Sequence, residues 1–127
     1  LLGMLAMPNK TLCQCLWFLM ENRHWTVPST FFEHTGLHVN YHGKIKNDQY
    51  NNMGTGVLMA ICVGLRLRLS LIEQIFNKSQ NKLNRYQDPD KTYIRILEYF
   101  PGITINDFNG MLEVAKLPQL GTENKAS

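Results

Sequence analysis

The chain has little charge, few cysteines and no long apolar run, and each shortage removes a class of protein. Asp, Glu, Lys and Arg make up 18% of its 127 residues, and no block of like charge marks an unfolded, solvating tail. Its three cysteines are odd in number and lack paired spacing. That argues against a disulfide framework and for reduced thiols, hence a cytoplasmic setting. The longest apolar run covers only residues 57–65 and includes Gly64; a bilayer span needs about 20 residues, so no membrane partner is expected. There is no H-E-x-x-H pair, no phosphate loop (Lys does not follow Gly54-Thr55-Gly56) and no nucleophile elbow. Carboxylates are scattered singly, so catalysis, a cofactor and a metal are not expected. Residues 1–7 are apolar but carry no basic leader, and the chain begins with Leu rather than Met. We therefore read it as a piece of a larger protein, with residues 1–9 a remnant or linker from an upstream domain.

What is present is enough for a core. Hydrophobic residues make up 44%, and a chain of this length can bury them without disulfides or metal. The formal charge is +3, which permits nucleic-acid binding without demanding it.

Residues 27–47 organise the rest. Phe31, Phe32 and Thr35 put bulk on a two-turn helix opened by Pro28, which is tolerated in a first turn because its missing N–H costs nothing there. Gly36 allows the left-handed exit. A second periodic segment, residues 38–46, follows Leu37, with Tyr41 or His42 and then Ile45 facing inward. Two helices joined by a short glycine-containing turn have the form of a helix-turn-helix, whose second helix can enter a major groove.

The other segments also read as helices. Asn9 or Thr11 caps residues 12–22, whose buried stripe is Leu12, Cys15, Leu16, Leu19 and Met20, widened by Trp17 and Phe18. Thr55 is a cap for residues 57–64. Ser70 with Glu73 forms a capping box for the next helix, Asp88 and Pro89 open another, and Thr104 caps the last. This gives seven helices and no strand. Trp17, Phe31, Leu37, Ile45, Leu58, Ile61, Leu65 and Ile75 should be largely buried, and Gly121 onward should fray.

Two metal readings fail on geometry. Cys13 and Cys15 point about 200° apart on a helix, and the Gly36 turn separates His34 from His38 and His42.

With the helices laid out, residues 12–76 resemble the Cro/repressor-type, XRE-like (lambda-repressor-like) helix-turn-helix family. The matching features are F-F-x-x-T-G-L at residues 31–37, then Tyr41, Ile45 and Lys46, then V-L-M-A-I-C-V-G-L at residues 57–65. Residues 83–121 resemble the helical pair that follows this domain in some bacterial members. The chain departs from the pattern at Pro28 (often a phosphate-clamping glutamine), His42 (a buried aliphatic), Lys46 (often glutamate) and Asp48 (often glycine).

The resemblance implies an all-α protein: a five-helix bundle over residues 10–80, a C-terminal helical extension over 81–121, and a disordered tail over 122–127. It implies sequence-specific binding of double-stranded DNA, as a transcriptional regulator or the DNA-binding module of a larger bacterial protein. The rival expectation is a protein–protein interaction module on the same fold. Phosphate contacts are expected from Ser29 or Thr30, His38, Lys44, Lys46, Gln49 and Asn51. Base reading is expected from Val39 (thymine methyl), Asn40 (adenine) and Lys44 (guanine), with Gly43 allowing close approach. Arg66 and Arg68 beside Leu65, Leu67 and Leu69 would form a homodimer contact or pack on the C-terminal helices.

Overall fold

A computed structural model describes residues 9–121 of the chain. Within them are seven α-helices and no strand: α1 (Leu12–Asn22), α2 (Pro28–Thr35), α3 (Asn40–Lys46), α4 (Thr55–Gly64), α5 (Leu69–Lys78), α6 (Asp90–Tyr99) and α7 (Ile105–Val114). None is long and apolar enough to cross a membrane. The predicted tail, residues 122–127, and most of the predicted N-terminal remnant lie outside the described residues.

Caps decide several helix starts. Thr11 Oγ1 accepts from Gln14 N and the Gln14 side chain accepts from Thr11 N, a reciprocal capping box that satisfies two first-turn donors. Thr104 Oγ1 accepts from Asp107 N at the head of α7. Pro28 occupies the first turn of α2. Three expected starts move. α5 begins at Leu69, with Arg68 as its extended first cap, so Ser70 lies inside the first turn and makes no capping box. Leu69 and Leu71, both packed on the core, draw the helix start forward. α4 is capped by Gly54 rather than Thr55. α6 begins after Pro89, although Asp88 Oδ1 still accepts from both the amide and the hydroxyl of Thr92.

α4 is the central element. Seven of its ten residues, from Leu58 to Gly64, are buried, and it packs on α2, α5 and α7. α1 packs on α3, α2 on α3, α5 on α6 and α6 on α7. One cluster of buried side chains runs from Leu12 to Leu120, so α6 and α7 close the core that α1–α5 begin. Of the eight side chains expected inside, seven are buried; Trp17 is only half-buried, because it lies at the edge of α1 against α3.

The C-terminal stretch departs most from expectation. Asn109 grips Leu120 through two hydrogen bonds, accepting from its amide (2.7 Å) and donating to its carbonyl (3.0 Å). Leu120 and Gly121 are both buried. Gly121 is left-handed (φ 79°), and a Cβ there would lie 2.6 Å from the Thr35 carbonyl oxygen. The expected fraying at Gly121 is therefore wrong: the residue is wedged against the α2–α3 turn.

Candidate functional site

The turn between α2 and α3 is built from the inside. Gly36 is left-handed (φ 74°) and its amide donates to Phe32 O at 2.8 Å. The buried Thr35 hydroxyl donates to Phe31 O (2.9 Å) and accepts from the Leu37 amide (3.0 Å). One hydroxyl thus ties the end of α2 to the start of the turn. Leu37 is fully buried.

α3 starts two residues later than periodicity suggests. His38 Nδ1 accepts from the Asn40 amide at 3.1 Å, so the ring acts as a cap and neutral His38 carries its proton on Nε2. His42, which stands where the resembled pattern has a buried aliphatic residue, is 3% exposed and donates through Nε2 to the Trp25 carbonyl at 2.9 Å. It meets Trp17 (5.2 Å) and Phe31 (5.8 Å) in edge-on contacts. With Ile45 it locks the inner face of α3, which answers the choice between Tyr41 and His42 in favour of His42.

The outer face is open. Val39, Asn40 and Lys44 are exposed, and a Cβ added at Gly43 would meet nothing within 4 Å. No carboxylate occurs between Glu33 and Asp48. Lys44 and Lys46 form no ion pair among the described residues. Each instead sits over aromatic rings. Lys44 Nζ lies 5.6 Å from the ring centroids of both Tyr41 and Tyr50, which stack on each other at 5.4 Å. Lys46 Nζ lies 5.9 Å from the Trp17 ring.

The other candidate residues divide. Ser29 and Gln49 are exposed, and the Gln49 amide donates to Lys44 O at 2.7 Å. Thr30 is half-buried and lines a cleft of about 420 Å³ between α2, the residues after α4 and the start of α7, in company with Arg23, Glu33 and Arg66. It does not join the α3 surface. Asn51 is committed internally: its Oδ1 accepts from Cys13 N (2.9 Å) and its Nδ2 donates to Asp48 Oδ1 (2.8 Å). The same Asp48 oxygen accepts from Thr11 Oγ1 at 2.8 Å. These two hydrogen bonds, Asn51 first, hold the Asp48 carboxyl below its ordinary value of 3.8. Asp48 has φ 56°, a conformation that Asp tolerates better than most residues.

Arg66 is exposed and donates through Nε to Gly102 O, between α6 and α7, at 2.8 Å. Tyr50 and Trp17, both half-buried, are the site residues that the sequence does not mark, Trp17 reading as core and Tyr50 as loop. Lys44 three residues after Tyr41 is a helical neighbour spacing, so half of that cluster had a signal; Tyr50 comes from a loop whose path the sequence does not reveal. Burial pushes up the thiols of Cys13 and, far more, Cys62, so both stay protonated and apolar. Among the described residues no group of three or more His, Cys, Asp or Glu is arranged to hold a metal. No family model matches the chain, and no curated protein or solved structure matches it either.

Proposed function

We propose that this protein binds double-stranded DNA sequence-specifically, with α2 and α3 as a helix-turn-helix, α3 as the reading helix, and α1–α5 as a repressor-like bundle. It would act as a transcriptional regulator or as the DNA-binding module of a larger bacterial protein. The observation that carries this reading is the two-sidedness of α3: His42 and Ile45 lock one face, while Val39, Asn40, Gly43 and Lys44 stand open and free of carboxylates on the other. A helix held rigidly from behind, with donors and a methyl-bearing side chain in front, suits contact with base edges in a major groove. His38 adds an outward Nε2–H donor at the start of the helix, suited to a phosphate oxygen.

Titrating labelled random duplex at rising salt tests the reading. Log affinity should fall linearly with log salt, and selection from a random DNA pool should return a shared sequence. Absence of any binding at low salt favours the rival reading, a protein-interaction module on the same fold. That rival draws on the exposed Tyr99, Phe100 and Val114 of the C-terminal helices.

A further inference from the structure

Lys44 and Lys46 leave α3 two residues apart, hence about 200° apart around its axis. They cannot serve the same side of whatever α3 faces. Each is nevertheless provided with an aromatic seat: Tyr41 and Tyr50 under Lys44, Trp17 under Lys46, with ammonium-to-centroid distances of 5.6, 5.6 and 5.9 Å. The seats belong to different parts of the chain. Trp17 lies on α1, whereas Tyr50 lies in the loop after α3. That loop is pinned to the head of α1 through Asn51 to Cys13 and Asp48 to Thr11, so Tyr50 is a fixed pedestal. On it Tyr41 stacks with an interplanar angle of 26°.

Lysine loses much rotamer freedom when it is immobilised, and a ring face attracts its ammonium. A lysine already seated gives up less on binding. A helix in a major groove fills most of its width of about 12 Å and has one sugar–phosphate strand along each flank. We infer that Lys44 and Lys46 are a pre-seated pair of phosphate contacts that straddle one major groove, one lysine to each DNA strand, and that Tyr50 and Trp17 are the residues positioning them. This rests on the DNA-binding reading and revises one part of the sequence expectation: Lys44 positions rather than reads, leaving base recognition to Val39 and Asn40.

The test uses the full chain and a duplex selected from a random pool, with phosphate-ethylation interference on each strand. Lys44→Ala should relieve interference on one strand and Lys46→Ala on the other. Each should flatten the log–log salt slope by about one unit, and the double variant by about two. Tyr50→Phe should bind like wild type. Tyr50→Leu, which keeps apolar bulk but removes the ring, should bind about two- to fivefold more weakly and lose part of the upfield ring-current shift of the Lys44 ε-protons measured without DNA, the Tyr41 ring keeping the rest. Wild-type binding with both lysines mapping to one strand overturns the straddle, and Tyr50→Leu indistinguishable from Tyr50→Phe in both readouts overturns the pre-seating; either result leaves DNA binding intact. A wild-type protein that binds no duplex removes both.

Discussion

Gly43 and Gly64 both sit inside helices, where glycine is unfavourable, and for opposite reasons. At Gly64 a Cβ would lie 2.6 Å from the His34 carbonyl oxygen and 2.9 Å from Thr35 Cγ2. Glycine there lets α4 cross α2 at backbone distance, directly behind the α2–α3 turn. At Gly43 a Cβ would meet nothing within 4 Å, so internal packing does not require glycine there. The comparison separates a surface shaped by the fold from one left free for something outside it.

The largest effect should come from closing the first gap. Gly64→Ala must push α2 away from α4, and overpacking of this kind costs about 3 kcal/mol; urea denaturation followed by circular dichroism should find the loss. Thr35→Val is next. It keeps the shape but strands the buried Leu37 amide, which should cost about 2 kcal/mol in the same measurement. Asn40→Ala should leave stability and random-duplex affinity nearly unchanged while removing ~1–3 kcal/mol of discrimination at one base pair of a selected duplex. Gly43→Ala should reverse the sign seen at Gly64, raising stability by about 1 kcal/mol while weakening DNA binding, because a methyl group now stands on the open face. A Gly43→Ala variant that is stabilised and binds DNA unchanged would show that the duplex does not approach α3 there.

The smallest effect is on pH. Asp48 is held below 3.8 by Asn51 and Thr11, so its contribution is fully present above that ordinary value. It is lost as pH falls from 3.8 through the lowered folded value. Asp48→Asn, which also tolerates the left-handed backbone, should flatten the acid limb of the stability curve below pH 4, with a small loss of stability at neutral pH, where the carboxylate's contribution is in force, and none at the acid end.

The seven helices were legible because their apolar stripes recur at helical spacing and because Thr11, Pro28, Gly36 and Thr104 are strong local punctuation. Leu37 and Ile45 were legible as inward residues from spacing alone. The errors share a cause: side chains used by distant parts of the chain. Asn51 reads as a surface polar residue until Cys13 N is found against it, and Ser70 reads as a cap until Leu69 packs on the core. His42, by contrast, is one of the two residues expected to face inward, and the Trp25 carbonyl supplies the acceptor that lets an imidazole do so. On the outer face of α3 the sequence and the fold agree that Val39, Asn40 and Lys44 are exposed. The seat of Lys44 is what the sequence does not show, because Tyr50 lies beyond the helix.

The Gly121–Gly36 wedge also sets an order of events. Gly36 and Gly121 belong to opposite ends of the fold, and their contact closes a long stretch of intervening chain, which is entropically slow to form. As the polypeptide leaves the ribosome, α2 and α3 emerge well before Asn109 can grip Leu120. The α2–α3 turn therefore receives its last wall only when residues 120 and 121 arrive. A chain halted before Asn109 would present α3 on an unbraced turn, so assembly of the complete C-terminal pair is the step that finishes the surface α3 offers.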